Sequence, residues 1–537
     1  MRLPLFTELE HEFKEYNFTK FSKDLMAGLT VTAVALPLAL AFGVSSGADA
    51  ASGLITAIVA GLIISFFSGG FYQISGPTGA MAAILMSIIA QYKMQGVFVA
   101  TLIAGILLLI AGILHLGRIT SFIPAPVITG FTSGIAIIIA LGQVDNFFGV
   151  YSQGTTALAK VFSYTKLGFS TDTATLCTGL FVILLMVFYP KKWNNIVPGS
   201  LLGIILATGG SLLLNLDIKT VGEIPQTLLP AERLHFAGIT WEHIEGVFSP
   251  AVSIAMLCMI ESLLCGASAG RMAGKAMNSD QELIAQGIGN IILPFFGGIP
   301  ATAAIARTSV AIKSGAQTRL TGIIHAIGLL IAMFVLSPVM SKIPLAALAG
   351  VLIVTAFKMN EWSAIKYMFK HKMKGPVLKY LITMIATVAL DLTTAILIGV
   401  LLGLFLFVIR SAAIQIAVEE VDPLRIGKEG TDVKSWCVVY VTGPMFFMTA
   451  DSIKKKLEGL SNREVVILSL RGVPMADITS VGIIMDFCKE AKENGKSVLF
   501  SSVQPSVMKI FEQSGLVEAA GEEAFYFSVD KVLLELL

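Results

Sequence analysis

Long apolar segments constrain this chain more than any other feature of its sequence. Residues 97–114 form a run of 18 residues that contains no Asp, Glu, Lys or Arg. An α-helix of roughly 20 apolar residues spans the hydrocarbon core of a bilayer, and only helices or closed barrels satisfy their backbone hydrogen bonds there. Charged residues make up 14% of the chain, whereas soluble domains contain about 25%. The sequence therefore predicts a polytopic α-helical membrane protein.

The apolar segments predict fourteen spans or half-spans, arranged as seven plus seven. The first seven lie near residues 25–47, 53–68, 76–91, 96–115, 124–146, 174–189 and 197–215. The second seven lie near residues 248–270, 281–296, 302–314, 319–338, 344–357, 376–391 and 393–411. Spans 3 and 10 are short and follow glycine and proline residues, which predicts half-helices at these two places.

The two sets of seven spans are related by an internal repeat. Segment 116–131 (LGRITSFIPAPVITGF) matches segment 336–351 (LSPVMSKIPLAALAGV) without gaps, and SGPTGA (75–80) corresponds roughly to GIPATA (298–303). Two units of seven spans cannot share an orientation, because seven is odd, so the repeats are predicted to be inverted. Inverted repeats with interrupted helices are typical of secondary transporters that bind substrate near the middle of the membrane.

Composition and charge divide the chain into four parts. If the N-terminus is inside, twelve Lys and Arg residues fall in inner loops and six in outer loops, which favours cytoplasmic N- and C-termini. After Arg410, strand-like segments alternate with amphipathic helices, which predicts a soluble α/β domain. The predicted parts are a cytoplasmic N-terminal segment (1–23), a transmembrane domain (24–411, with repeat one at 24–215 and repeat two at 248–411), a polar linker (412–433) and the soluble domain (434–537).

Several classes of function are disfavoured by what the sequence contains. The five cysteines are scattered and none forms a C-x-x-C pair, which argues against a disulfide framework or a zinc site. No basic stripe with interleaved aromatic residues suggests nucleic acid binding. The sequence shows no nucleophile–base set and no metal-ligand cluster, so we expect neither an enzyme nor a cofactor.

The two breaks at membrane depth are the strongest indication of function. Irregular backbone is stable there only if it is buried in protein or lines a cavity. The N-terminus of a half-helix exposes unpaired N–H groups and positive dipole charge, which together form an anion site. Arg307 lies about one turn inside the second half-helix and adds a positive charge. The pattern predicts a desolvated anion site; the alternative is a proline kink used for packing, with Arg307 reaching an interface.

Glu261 is an acidic residue in an otherwise apolar stretch of span 8. Intramembrane carboxylates are costly and mark functional sites by default, so Glu261 is a candidate to carry a coupling proton or to hold a sodium ion. A static ion pair with Arg307 is the alternative. Cys265, one turn further on the same face, and Thr302, in the second break, are candidates for the cavity wall, although Cys265 also suits simple packing.

Span 1 contains Pro37 near mid-membrane. A proline in the helix interior removes a hydrogen bond and kinks or breaks the helix. We therefore expect a break after Pro37 that lets Leu38 and Phe42 face the site, with a simple kink as the alternative.

These motifs resemble those of the SulP family of anion permeases, which includes sulfate permeases. SGPTGAM (75–81) resembles the entry to span 3 of that family, IESLL (260–264) its span 8 motif, and ATAAIARTSVAIKSGAQTRLTG (301–322) its span 10 signature. The resemblance covers nearly the whole chain. It implies a seven-plus-seven inverted-repeat membrane domain with core and gate subdomains, a C-terminal STAS domain, and a homodimer.

The resemblance also assigns roles to individual residues. Glu261 matches the acidic residue associated with cation coupling, Arg307 matches the positive residue of the anion site, and Phe42 falls where many members have tyrosine. The remaining substrate-binding residues implied are Thr78, Gly79 and Ala80 at the span 3 end and Ala303 and Ala304 at the span 10 end.

Some residues depart from the sulfate-type pattern. Leu38 stands where many sulfate-type members have glutamine, and the PLALAFG segment (37–43) resembles bacterial branches that include bicarbonate and C4-dicarboxylate transporters. Sodium-coupled bicarbonate members have aspartate and threonine where this chain has Glu261 and Cys265, so these two residues resemble the proton-coupled branch.

The C-terminal segment VPMADITSVG (473–482) resembles a loop of STAS domains. In related anti-sigma-factor antagonists a phosphorylatable serine follows the aspartate, but here Ile478 follows Asp477. Thr479 and Ser480 are the remaining candidates for such a switch. The STAS domain is expected either to bind a cytosolic regulator or to act only in stability and assembly.

Together these features predict a multi-pass protein of the cell inner membrane, surrounded by lipid, that transports a small anion with a proton by an elevator-like mechanism. The anion is expected to be sulfate, bicarbonate or a dicarboxylate. Alternatives are a sodium-coupled bicarbonate symporter, a C4-dicarboxylate symporter, and an uncoupled channel or exchanger. A nucleobase permease with the same repeat architecture is disfavoured by the AIARTS stretch and the STAS-like tail.

Overall fold

The structure is a computed structural model that describes residues 4–118, 123–154, 157–190, 193, 197–236, 240–390, 392–421, 433 and 435–536. The chain forms two compact units, residues 1–403 and 404–537. Parts of three expectations lie outside the described residues: the middle of the first repeat match (119–122), half of the expected linker (422–432), and the expected start of the soluble domain at residue 434.

The first repeat consists mainly of helices. They are α2 (Phe18–Ser45), α3 (Ala50–Phe67), α4 (Ala82–Ile113), α5 (Ala125–Gly142), α6 (Val144–Phe148), α7 (Ala157–Leu167), α8 (Thr173–Phe188) and α9 (Gly199–Leu213), and α1 (Pro4–Phe13) precedes them in the N-terminal segment. A two-residue strand, β1 (Ser75–Gly76), precedes α4, and a 3₁₀ turn (Gly79–Met81) leads into it.

The second repeat has the same organisation. Its helices are α10 (Trp241–Ala273), α11 (Ser279–Ile292), α12 (Ile305–Lys313), α13 (Leu320–Met340), α14 (Leu345–Met359), α15 (Trp362–Lys370), α16 (Lys374–Ala389) and α17 (Leu392–Ser411). A two-residue strand, β2 (Thr302–Ala303), precedes α12.

Local sequence signals set where several of these helices begin. The side chain of Asn17 accepts a hydrogen bond from the N–H of Lys20, and Asp49 accepts one from Ser52, as N-cap residues do. Pro124 and Pro344, which the repeat match aligns, both have extended backbone immediately before α5 and α14. The repeat therefore places equivalent helix starts at equivalent residues.

The helices follow the predicted spans closely. By length and hydropathy, seven of the described helices can cross a membrane, or eight if the bent pair α14 and α15 forms one span. Half-helix α12 has nine residues and is about 14 Å long at 1.5 Å per residue, so it crosses only part of a bilayer. The helices agree with a polytopic α-helical membrane protein, while the count of fourteen spans stays a prediction.

One expectation about span 1 is wrong. Helix α2 continues through Pro37 without a break and ends at Ser45. Neighbouring helices α3, α12 and α13 pack along α2, and such packing compensates for the hydrogen bond that a proline removes. The interruption in repeat one lies instead at β1, and a second one lies within α4 at Lys93, which has a positive φ of 58°.

The helices of the first unit pack as two groups. One group, the core, comprises α2, α3, α4, α10, α11, α12 and α13; the other, the gate, comprises α5, α8, α9, α14 and α16. The groups meet where α2 packs on α9 and α14, and where α5 packs on the 3₁₀ turn Gly79–Met81. The core group carries both half-helices.

The second unit contains a five-stranded sheet. Its order is β3 (Gln415–Glu420), β4 (Trp436–Thr442), β5 (Val465–Gly472), β6 (Ser497–Ser501) and β7 (Phe525–Tyr526). Strand β3 is antiparallel to β4, and the other neighbours are parallel. Strand β3 lies inside the segment 412–433 that was expected to be a polar linker. It is a strand because its backbone pairs along its whole length with β4.

Helices connect the strands of this sheet. They are α18 (Ala450–Glu458), α19 (Ile478–Glu493), α20 (Pro505–Ser514), α21 (Leu516–Ala520) and α22 (Val529–Leu536). Asp477 caps α19 by accepting from the N–H of Ser480, and the hydroxyl of Ser480 is fully buried and contacts Met445 O at 2.8 Å. Of the two candidate switch residues, only Thr479 is exposed.

Candidate functional site

The two broken helices of the core cross at a short strand pair. Strand β1 pairs antiparallel with β2, with Ser75 opposite Ala303 and Gly76 opposite Thr302. Each strand leads directly into a half-helix, so the N-termini of both half-helices lie beside one crossing. Antiparallel pairing is the arrangement that two inverted repeats require.

Arg307 lies at this crossing with an incomplete set of partners. Its side chain is 1% exposed, and Nη2 donates a hydrogen bond to Pro77 O at 2.8 Å. The Nε and Nη1 atoms are buried without a hydrogen-bond partner. A buried charge is costly unless it is paired and hydrogen-bonded, so these two nitrogens leave part of the cost of burying the guanidinium uncompensated.

Gly76 makes room for this guanidinium. A Cβ atom at Gly76 would lie 3.2 Å from Arg307 Cζ and would overlap Nη1. Gly76 therefore allows the guanidinium to approach the backbone closely.

The span 3 end begins with a 3₁₀ turn. Gly79 and Ala80 begin the 3₁₀ turn, and the first hydrogen bond of that turn runs from the N–H of Met81 to Thr78 O at 3.4 Å. The N–H groups of Gly79 and Ala80 precede this bond and point along the helix axis, as first-turn amides do.

At the span 10 end, the expected donors need correction. The N–H of Ala303 donates to Ser262 Oγ at 3.2 Å, and the N–H of Ala304 donates to Ile74 O at 3.0 Å. Both amides are thus used to hold the crossing together, and neither is open to a ligand in this conformation.

The first-turn amides of α12 follow directly after Ala304. The first helical bond runs from the N–H of Thr308 to Ala304 O at 2.9 Å. The N–H groups of Ile305, Ala306 and Arg307 come before that bond, so these three form the N-terminal donor set of the second half-helix.

Glu261 on α10 contacts the other half-helix. Thr78 Oγ1 donates a hydrogen bond to Glu261 Oε2 at 3.0 Å. Glu261 and Arg307, both described, interact electrostatically but form no ion pair within 4.0 Å. The expected alternative of a direct Glu261–Arg307 pair is therefore not the arrangement in this conformation.

Apolar side chains close the site at Gly79. A Cβ atom there would lie 2.9 Å from Cε1 of Phe42 and would overlap Cδ1 of Ile139. Phe42 belongs to the core helix α2, whereas Ile139 belongs to the gate helix α5. Both are buried, so the gate touches the site through Ile139, which sequence reasoning missed because a single isoleucine in an apolar span carries no signal.

The three candidates for the cavity wall are buried in packing contacts. Leu38 is 5% exposed, and Thr302 and Cys265 are fully buried. Thr302 Oγ1 donates to Cys258 O at 3.3 Å, and Cys265 Sγ donates to Thr308 Oγ1 at 3.4 Å. Thr302 and Cys265 thus connect α10 to the crossing and to α12.

Sequence and structure comparisons agree with this architecture. Residues 21–386 match the profile described as "Sulfate permease family", and residues 427–530 match that of the STAS domain. The Bacillus subtilis protein named "Putative sulfate transporter YvdB" is 34% identical over 97% of this chain and 98% of its own length.

Two solved structures are similar. The transmembrane domain of a cyanobacterium bicarbonate transporter, BicA, is 29% identical, with a TM-score of 0.65 over 72% of this chain and 98% of that one. Murine Slc26a9, an anion transporter in the inward-facing state, is 16% identical, with a TM-score of 0.84 over 99% of this chain and 93% of that one; at this identity the likeness concerns the fold alone. Taken together, these matches show that the chain belongs to the sulfate permease family and is a multi-pass membrane anion transporter with a STAS domain.

Proposed function

We propose that this protein is a secondary active symporter that carries a small anion together with a proton. The observation that carries the proposal is the buried guanidinium of Arg307, which has two unpartnered N–H-bearing nitrogens beside the N-termini of two half-helices. Preorganised donors in a dehydrated site hold an anion far more strongly than the same groups in water.

Coupling follows from the charges on either side of the crossing. When Glu261 is ionised, its negative charge reduces the positive potential that Arg307 creates, and it competes with the anion for that potential. When Glu261 is protonated, the full charge of Arg307 is available to the anion. Anion and proton therefore favour each other's binding, as thermodynamic linkage between two sites requires.

The proposed mechanism is elevator-like, with the core moving against the gate. Thr78, Glu261 and Arg307 all belong to the core, while Ile139 belongs to the gate. A core that moves as a body would carry anion and proton past a stationary Ile139, and the bound pair would bias the equilibrium between the two positions.

The substrate class is a small anion of the sulfate, bicarbonate or dicarboxylate kind. The relatives support this range, because one is named as a sulfate transporter and another as a bicarbonate transporter. Relatives with transporter names also favour transport over an enzymatic reaction. Leu38, Glu261 and Cys265 depart from the patterns of sulfate-type and sodium-coupled bicarbonate members, so the proton is proposed as the coupling ion.

The proposal includes a location and an assembly. The apolar helices and the family support a multi-pass protein in the cell inner membrane, and the distribution of Lys and Arg supports cytoplasmic termini. Family resemblance supports a homodimer, with the STAS domain as the place where a cytosolic regulator acts.

Uptake into proteoliposomes tests the proposal. Labelled sulfate, bicarbonate and succinate are supplied separately, each with an inward proton gradient, an inward sodium gradient or neither. Protein-free liposomes correct for carbon dioxide that crosses the bilayer when bicarbonate is acidified. We expect one anion to accumulate above its outside concentration with the proton gradient alone.

The other outcomes select the alternatives. If the anion accumulates only with a sodium gradient, the coupling ion is sodium, which favours a bicarbonate symporter. If the anion moves only down its own gradient and its flux is the same with or without the proton and sodium gradients, the protein is an uncoupled channel or exchanger.

A further inference from the structure

Helix α11 presents a row of buried polar side chains to the crossing. Glu282, Gln286 and Asn290 are spaced four residues apart and are all fully buried. Residues four apart lie on one helix face, so these three form a line, here called the α11 ladder.

Asn290 holds the chain that enters β2. Its Oδ1 accepts from the N–H of Ala301 at 2.8 Å, and its Nδ2 donates to Ala301 O at 2.9 Å. One side chain therefore satisfies both backbone groups of a residue, as a neighbouring strand would do. Ala301 precedes Thr302, whose Cα is in register with Gly76.

Gln286 holds the other strand of the crossing. Its Nε2 donates to Ser75 Oγ at 2.8 Å and to Glu282 Oε1 at 2.8 Å. Ser75 is the residue of β1 that lies opposite Ala303, so the same helix face reaches both broken segments.

Glu282 completes the row at the segment before β1. Its carboxylate accepts from Ser68 Oγ at 2.6 Å and from the N–H of Gly69 at 3.1 Å. These two residues follow α3 directly and begin the stretch that leads to β1.

We propose that the α11 ladder is a positioning element for the anion site. It fixes the two broken segments relative to each other, and thereby fixes the distance between the half-helix N-termini and the guanidinium of Arg307. None of its members touches the proposed site, so they act through the backbone that they hold. This inference rests on the proposed anion site at Arg307.

The physical reason lies in the shortness of the crossing. Each strand has only two residues. So short a pair of strands leaves most backbone groups of the broken segments without strand partners. Buried backbone groups need such partners, and Asn290 and Glu282 supply them to Ala301 and Gly69 from fixed positions on one helix. Groups that bind a ligand must be held to about 0.5 Å, which a supporting shell of this kind provides.

The test compares substitutions on one helix. Asn290→Ala and Gln286→Ala remove ladder contacts, and Gln281→Ala is the matched control, because Gln281 is also buried on α11 but donates to Phe67 O, away from the crossing. Equilibrium binding of labelled sulfate to the purified full chain is measured. If the unaltered chain does not bind sulfate, labelled bicarbonate is used instead. Arg307→Ala is measured in parallel.

We expect the Kd to rise about tenfold for Asn290→Ala, as for a lost buried hydrogen bond, and to stay unchanged for Gln281→Ala. A thermal melt of each variant separates loss of stability from loss of positioning. The inference is supported if Gln281→Ala and Asn290→Ala lower the melting temperature equally, but only Asn290→Ala raises the Kd.

Ser75→Ala keeps the inference testable if the larger changes unfold the protein. It removes only a hydroxyl that accepts from Gln286, and we expect its effect on the Kd to be non-additive with that of Gln286→Ala. If all ladder variants keep the Kd of the unaltered chain while Arg307→Ala loses binding, the positioning role of the α11 ladder is wrong and the anion site stands. Unchanged binding in Arg307→Ala would overturn the anion site itself.

Discussion

Replacement of Arg307 by alanine is expected to weaken anion binding by orders of magnitude. The guanidinium offers Nε and Nη1 without partners, while Nη2 is held by Pro77 O. A hydrogen bond to a charged group contributes about 1.5–3 kcal/mol, so two contribute about 3–6 kcal/mol. At 1.4 kcal/mol per factor of ten, this corresponds to an increase in Kd of about 10² to 10⁴.

Gly76→Ala perturbs the same group without removing its charge. The added Cβ overlaps Arg307 Nη1, so the guanidinium must shift away from its position beside Pro77. We expect a smaller rise in Kd, about tenfold for a shifted donor. Gly209→Ala is the control, because a Cβ at Gly209, which also lies in an apolar helix, meets no atom within 4 Å.

Equilibrium binding of the labelled anion to the purified protein measures all three variants. The expected order of Kd is Arg307→Ala above Gly76→Ala, with Gly209→Ala equal to the unaltered chain. A Kd for Arg307→Ala equal to that of the unaltered chain would refute the reasoning, because the guanidinium would then not be a ligand of the anion.

Three further predictions concern other parts of the chain. Ile139→Ala should raise uptake of succinate relative to sulfate in proteoliposomes, because Ile139 fills the space beside Gly79; an unchanged ratio would contradict its role as a wall. Glu12→Ala leaves Arg319 buried without its ion-pair partner, which lies at 2.9 Å, so the free energy of unfolding should fall by about 3–5 kcal/mol. An unchanged melting temperature would argue against this role of the ion pair. Burial raises the pKa of Cys488 to about 12, so at pH 8 only about one thiol in ten thousand is ionised; rapid alkylation by iodoacetamide in the native protein would be inconsistent with that burial.

The sequence predicted the interruptions well because glycine and proline act locally. The breaks at SGPTGA and GGIPATA lie where the structure has β1 and β2, since these residues oppose helix continuation whatever surrounds them. Arg307 and Glu261 stood out because charges are rare at membrane depth.

Other features depend on contacts that sequence spacing does not contain. Pro37 lies within a continuous helix because neighbouring helices support it, a tertiary effect that overrides local preference. The amides of Ala303 and Ala304 are occupied because Ser262 and Ile74 are brought to them by the fold. Strand β3 was expected as linker because it lies in a polar segment after the last predicted span, and pairing with β4 makes it a strand.

Two residues of the α11 ladder leave a signal in the sequence. Gln286 and Asn290 are polar residues four apart in an apolar span, a pattern that indicates one polar helix face. What that face holds becomes apparent only when β1 and β2 are placed against it.

The most direct test of the central claim counts protons in the Glu261→Gln variant. Proteoliposomes containing a pH-sensitive dye receive the transported anion, and internal acidification is recorded together with uptake of labelled anion. We expect the unaltered chain to acidify the interior as the anion enters. We expect Glu261→Gln still to bind and exchange the anion, but to move no protons and not to accumulate the anion against its gradient. Normal proton-driven accumulation by Glu261→Gln would contradict the account, because the proton would then be carried by another group.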